Sequence, residues 1–456
     1  MAKLIKRNKA MSVRPIKSGQ PNGVVLAFAG IEKSIPMLHG SQGCSAFSKV
    51  FFVRHFREPI PLQTTAMDQI STVMGGDENI IKGLKTLCEA KKAQVIGLVT
   101  TGLTEVQGAD IHRVVEQFKA QYPELNEEVK VVPVNAADFT GSLESGYSNA
   151  VQALIHHLLQ QNKTKLVEWE NSPFLNILPG SHLTPGDLDQ LKRYVEAFGL
   201  EPLVLPDLSR SLDGHLPEGR GSSVSVGGTT LGEILSMPLA RATISIGNAM
   251  IEPAKSLEQS TGVINHHRCG VMGLSATDWL INQLSQISGQ EVPAWIERDR
   301  SRLQDAMMDT HFTLTNSRVA LAGDPDWLLQ WHTLLADMGI DTPVVVTSTG
   351  SQSLADSSFD TVKIGDLEDF EEWINRLHQD EKPNLLIGNS HVAEVGDRLG
   401  LPVVRSGYPL YDWVGGHART WIGYEGARQI LFELCNAIAH SGTHRLAPYR
   451  SRYAAA

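Results

Sequence analysis

Cysteine is scarce in this sequence, with four in 456 residues, and no two stand at a spacing that suits a disulfide framework. The scarcity fits a reducing cytoplasm. Long apolar runs are missing too. The longest, Val24 to Ile31, falls far short of the ~20 residues that span a bilayer. Basic excess is absent: the net charge of −10 argues against nucleic acid as a partner. Neither a GxGxxG fingerprint nor a Walker A sequence occurs, and Gly219-Arg-Gly221 is too short to replace them and follows no strand. No Ser/His/Asp or Cys/His triad and no paired carboxylates stand out, so the expectation is a chain with no catalytic residues of its own.

What is present is an ordinary globular balance, 42% apolar and 20% charged, over a length that suggests about three domains of ~150 residues. Short β-branched runs alternate with helical patterns, the mark of parallel sheets built from βαβ units. The expected fold is α/β, with three Rossmann-like domains of mainly parallel sheets flanked by helices. In the first block strands are expected at Val24–Phe28, Val95–Thr100 and Val129–Val134. Helices are expected at Asp77–Lys92, Ile111–Gln121 and Ser145–Leu159. The second opens with a strand at Phe174 and continues with a helix over Asp187–Phe198 and strands at Pro202–Leu205 and Thr243–Ile246. The third opens at Arg318, where Asp324 and Pro325 suit a helix N-cap and first position. Its further strands are expected at Pro343–Thr347, Asn384–Ile387 and Leu401–Arg405, and a helical stretch over Gln290–Thr310 bridges the two blocks. The polar stretch Lys163–Pro173 marks a boundary. The division is therefore an N-terminal arm (1–20), a first domain (21–165), a second (166–300) and a third (301–456). The arm carries Lys3, Lys6, Arg7, Lys9, Arg14 and Lys17 without the features of a targeting peptide. It is either solvated or, the reading preferred here, laid on a partner subunit.

Cys44 is the most informative residue. It closes His39-Gly-Ser-Gln-Gly-Cys44, where glycines at 40 and 43 let the backbone approach a bulky object. A thiolate there is a soft ligand suited to an iron–sulfur cluster, yet a cubane takes about four protein ligands. The bland reading is a small buried hydrophobe. If Cys44 does bind a cluster, the other ligands come from another chain. Cys88 and Cys435 fall on apolar helix faces and read as core. His266, His267 and Cys269 stand too close together for a tetrahedral zinc site, and a loop with one buried cysteine is the expectation there. Arg54-His-Phe-Arg-Glu-Pro59 reads as a salt-bridged turn or as electrostatic support for an anionic cluster, and the Thr100–Gly102 turn as a wall of its site.

Together these segments resemble the nitrogenase component 1 superfamily in its β-type branch. The motifs that carry the likeness include His39–Cys44, Arg54–Pro59, Gly75-Gly-Asp-Glu-Asn79 and Thr100–Asp110. Later come Gly323-Asp-Pro-Asp326, Ile387-Gly-Asn-Ser390, Gly407-Tyr-Pro409 and Gly423-Tyr-Glu-Gly426. In catalytic β subunits three cysteines and a serine surround an eight-iron cluster. Here the first position is Cys44, and the others hold Leu62, Gly102 and Asp138. That pattern resembles the NifN family, β-like subunits of the NifEN scaffold for iron–molybdenum cofactor biosynthesis. The resemblance implies a heterotetramer with a NifE-like α subunit and a [4Fe–4S] cluster shared between chains, with Cys44 as this chain's metal ligand. It also implies a cofactor precursor carried on the partner, and transient docking of the Fe protein, NifH. The α-type subunits hold the cofactor through a cysteine after a second-domain strand. The counterpart here, Thr243–Met250, has none. Two readings compete with the scaffold. One is a catalytic electron-transfer subunit, of a divergent nitrogenase or of dark-operative protochlorophyllide reductase, in which Asp138 offers a carboxylate ligand. The other is a metal-free Rossmann-like binding protein.

Overall fold

The computed structural model describes residues 1–6, 12, 14, 16, 18–159, 172–216 and 222–441. The chain opens with β1 (Lys3–Lys6), which pairs in parallel with β12 (Thr361–Ile364) far along the sequence. The described part of the N-terminal arm thus lies on the chain's own third block. Arg14 continues the attachment with a 2.8 Å ion pair to Glu371, and Ile16 is buried in that block's core. A bare β12 would leave a row of unpaired backbone groups, and β1 covers it.

Three parallel sheets follow. The first contains β2 (Ser34–Leu38), β3 (Gln63–Thr64), β4 (Val95–Val99) and β5 (Lys130–Val134), in the order β3-β2-β4-β5. The second contains β6 (Phe174–Pro179), β7 (Glu201–Val204), β8 (Thr243–Ile246) and β9 (Asn265–Arg268), in the order β7-β6-β8-β9. The third joins β10 (Arg318–Ala322), β11 (Asp341–Thr347), β13 (Leu385–Gly388) and β14 (Val403–Arg405) to β12 and β1, in the order β1-β12-β11-β10-β13-β14. In each sheet the first strand of the block sits inside, and the chain then winds to both sides of it. The order therefore reverses at β2/β4, at β6/β8 and at β10/β13. The carboxyl ends of such strands are where open α/β sheets bind ligands.

One expectation fails in the first block. Val24–Phe28 is not a strand but part of a helix, Gln20–Ala29, every residue of which is buried. A short apolar run has no periodicity to separate a core strand from a helix buried on all sides. Pro21 in the first turn favours the helix. The helix packs along Leu143–Leu159, and the two backbones meet at glycines: a Cβ on Gly23 would collide with Leu143 O, and one on Gly146 with Gln20 O. The true strand, β2, was missed. In the other blocks the expected strands are found, with ends shifted by a residue or two, and the bridging helix runs Ala294–Leu314. The Lys163–Pro173 boundary (up to residue 171) and Gly219-Arg-Gly221 lie outside the described residues. No helix among the described residues is long and apolar enough to cross a membrane.

Candidate functional site

The turn after β2 is built from three strand ends. The His39 amide donates to Val99 O at 2.7 Å. The His39 carbonyl accepts from the Thr101 and Thr104 hydroxyls at 3.0 and 3.1 Å. Thr65 Oγ1 lies 3.0 Å from His39 Nδ1 and accepts from the Gly40 amide at 3.2 Å. β2, β3 and β4 are therefore tied together at the point where the strand order reverses. Burial pushes the His39 pKa down to about 4, against the pull of Asp77, so the ring is neutral at pH 7. Gly40 is required by close approach, since a Cβ there would stand 2.8 Å from Thr101 Oγ1. Gly76 likewise packs against the His39 ring. The His39–Cys44, Thr100–Asp110 and Gly75–Asn79 motifs are thus brought together.

Cys44 is the third residue of the helix Gln42–Phe56, which Ser41 precedes as N-cap. It is half-buried, with Sγ 3.6 Å from Ser41 Oγ, and Gln42 and Gly43 beside it are exposed. The other cluster-ligand positions of catalytic relatives offer little. Leu62 is buried in the core. Gly102 opens the helix Gly102–Gln107, and exposed Asp138 has a carboxylate oxygen 3.5 Å from where a Gly102 Cβ would stand. Among the described residues no three His, Cys, Asp or Glu side chains come together as a metal would need.

The remaining motif residues have structural work. His267 lies on β9, with Nδ1 3.0 Å from Ser245 Oγ and Nε2 3.1 Å from Asn248 Oδ1, so both ring nitrogens are engaged. Cys269 follows that edge strand and is half-buried, not buried in a loop as expected, and its partial burial pushes the thiol pKa up. Cys88 is buried, and Cys435 is partly buried against the core. The arginine run sits at the far end of the Cys44 helix, about 15 Å along its axis at ~1.5 Å per residue. Among the described residues neither arginine of the run makes an ion pair, and both are engaged away from Cys44. Arg54 stacks 3.9 Å from the Tyr411 ring centroid and Arg57 donates to Tyr411 O at 2.9 Å. His55 Nδ1 accepts the Leu410 amide at 2.9 Å. The run clamps the Cys44 helix onto the Gly407–Tyr411 segment of the third block.

Sequence reading missed the apolar rim around this turn. The helices that leave β2, β3 and β4 all start at the carboxyl edge of the first sheet. They expose Phe47, Val50 and Val53, then Ile70, Val73 and Met74, then Leu103 and Val106. Phe139, after β5, is 64% exposed and Val106 80%. Cys44 and Phe47 stand three apart on one helix face. So many exposed apolar side chains on one edge mark an interaction surface. Each helix contributes only two or three of these residues, too few to stand out in the sequence.

A second junction lies where the three blocks meet. The Asp326 carboxylate accepts from the Asn248 and Ala249 amides at 2.8 and 2.9 Å. The Asp326 amide in turn donates to Glu144 Oε2 at 2.9 Å. Burial and the neighbouring Asp326 and Asp324 charges hold the Glu144 pKa well above the carboxylate range, and burial raises Asp326 to about 6.

Comparison with known proteins agrees with this architecture. The family described as nitrogenase component 1 type oxidoreductase matches residues 19–439. The nitrogenase iron-molybdenum cofactor biosynthesis protein NifN of Klebsiella pneumoniae is 42% identical over 454 residues, 99% of this chain and 96% of that one. The protein of the same name from Rippkaea orientalis is 40% identical over 452 residues, covering 96% of each. A solved structure described as nitrogenase Cp1 at pH 6.5 superposes with a TM-score of 0.87 at 29% identity, over 97% of this chain and 96% of that one. The chain belongs to the nitrogenase component 1 type oxidoreductase family, in its NifN branch.

Proposed function

We propose that this chain is one subunit of a scaffold on which the precursor of the nitrogenase iron–molybdenum cofactor is matured. Cys44 supplies the fourth thiolate of a [4Fe–4S] cluster whose other three corners belong to a NifE-like α subunit, in an α2β2 assembly to which the Fe protein NifH docks transiently. The observation that carries this reading is the isolation of Cys44. A half-buried thiol stands at the reversal point of the first sheet, on a rim of exposed apolar side chains, and among the described residues no three His, Cys, Asp or Glu side chains gather there to complete a metal site. One thiolate fits one corner of a cubane and no more. The cluster, when bound, supplies one-electron chemistry. This chain's residues hold one corner and cover the site from water.

The precursor is assigned to the partner. The stretch that corresponds to the cofactor-cysteine segment of α-type subunits, Thr243–Met250, has no cysteine, and the Asp326 carboxylate occupies the Asn248 and Ala249 amides within it. The space left nearby admits the centre of a water-sized body over only about 30 Å³, far too little for a metal cofactor. The division into an arm (1–20) and domains at 21–165, 166–300 and 301–456 remains our reading. Residues 421–422 return to the second block, where Asp187 accepts the Trp421 and Ile422 amides.

The test is co-expression with the α-like subunit and anaerobic purification. The wild-type complex is expected to hold four irons per interface with a [4Fe–4S] electron paramagnetic resonance signal. Cys44→Ala is expected to lose most of both while the chains stay paired. An unchanged iron content in the variant overturns the ligand assignment.

A further inference from the structure

The reversal points of the second and third sheets face each other. The segment after β6 places Ser181 and His182, and the segment after β10 places Gly323 and Asp324, on the lining of one cavity. Asn389 joins them from the end of β13. Ligands of open α/β folds gather at such points, and none of the cluster chemistry above uses this one.

The cavity contains polar groups that are not satisfied. His182 is 8% exposed, and among the described residues neither ring nitrogen has a well-formed hydrogen bond, Gln330 being the one side chain within reach. The Gln330 side chain is close enough to bond one ring nitrogen and favours the protonated ring, and its Oε1 has no other partner among the described residues. Burial keeps His182 neutral, with a pKa down to about 4, so one nitrogen donates and the other accepts. Leaving them unmet is costly in a buried site. Ser406 Oγ, also on the lining, accepts from the Trp327 and Trp331 indoles at 3.0 and 3.3 Å, which leaves its own hydrogen to give. The Tyr408 hydroxyl is a further buried group without a partner among the described residues. Leu143 and the Trp327 ring form apolar wall.

Charge and size narrow the ligand. Asp326 and Asp324 flank the site and disfavour an anion. No three ligating side chains converge for a metal ion among the described residues. A non-polar gas leaves at least one His182 nitrogen and the Ser406 hydroxyl hydrogen unpaired. The free space, about 30 Å³ for the centre of a water-sized body, exceeds one water and excludes a sugar or nucleotide. We propose that this cavity binds one small neutral molecule that both donates and accepts hydrogen bonds, of the carboxamide class and about three or four non-hydrogen atoms, anchored by His182 and Ser406.

Saturation-transfer NMR tests this with acetamide as the probe and the anaerobically purified full chain with its partner. Acetamide methyl signal is expected to receive saturation from the wild-type complex, and to lose at least fivefold of it in both Ser406→Ala and His182→Phe. Cys44→Ala is expected to retain the transfer, which separates this site from the cluster. Circular dichroism checks that each variant is folded, and Ser406→Ala decides alone if His182→Phe is not. No transfer in the wild type, meaning that the cavity holds ordered water only, overturns the proposal. So does equal transfer in wild type and Ser406→Ala.

Discussion

The Leu410 amide donates to His55 Nδ1 across 2.9 Å, in a contact between the far end of the Cys44 helix and a loop 355 residues later. His55 is buried, and burial, with His417 and Arg57 nearby, lowers its pKa to about 3. His55→Ala leaves the Leu410 amide unpaired and opens a cavity beside Phe56 and Tyr408. It is expected to cost about 2–4 kcal/mol in denaturant unfolding. Because the folded pKa lies below the unfolded value of 6.5, His55 contributes stability in full above pH 6.5, and loses it as pH falls toward about 3. The variant therefore shows a shallower loss of stability on acidification than the wild type. Equal slopes contradict the assignment.

The buried carboxyl pair works in the opposite sense. Asp326 is raised from 3.8 to about 6, so its contribution is complete below pH 3.8 and is lost as pH rises through about 6. Glu144, raised further, adds in the same direction. Glu144→Gln keeps an oxygen for the Asp326 amide and removes one titrating group. Between pH 5 and pH 7.5 the wild type is expected to lose about 1–3 kcal/mol more than the variant. The histidines contribute to both proteins alike, so the difference isolates the pair. Parallel pH profiles of unfolding would show that the pair does not titrate in this window.

Gly40 is predicted to be intolerant of a methyl group. A Cβ there stands 2.8 and 2.9 Å from Thr101 Oγ1 and Cγ2, so Gly40→Ala displaces the side chain that holds the His39 carbonyl. The expected outcome is a loss of about 1–3 kcal/mol in stability, with iron content of the complex falling in step. Wild-type stability and iron in this variant argue against a rigid turn.

The apolar rim is predicted to be a contact surface. Phe47→Asp changes a side chain 63% exposed, so the isolated chain is expected to unfold within about 0.5 kcal/mol of the wild type. Pairing with the α-like subunit is expected to weaken at least tenfold by size-exclusion chromatography. Undiminished pairing places the interface elsewhere.

Much of the fold was legible because parallel sheets advertise themselves: β4, β5, β6 and β10 are β-branched or apolar runs bounded by turns. The failures have separate causes. β2 contains Pro36, which argues against an inner strand. It is tolerated because β3 pairs only with Met37 and Leu38 and leaves Pro36 beside an unpaired stretch. The Val24–Phe28 helix reads as a strand because it is buried on every side, which erases its periodicity. At the site, Cys44 and its glycine turn were visible as local sequence. The Arg54–Arg57 run was misread because its partner, Tyr411, lies more than 350 residues away. The exposed rim was invisible because no single helix holds enough of it. Three strand ends must be placed side by side before it exists.

The most direct measurement is anomalous diffraction at the iron edge from anaerobic crystals of the complex. The account predicts four irons at each junction between unlike chains, one of them bonded to Cys44 Sγ and the other three to thiolates of the partner. Iron bonded wholly within one chain, or a Cys44 thiol remote from any iron, contradicts it.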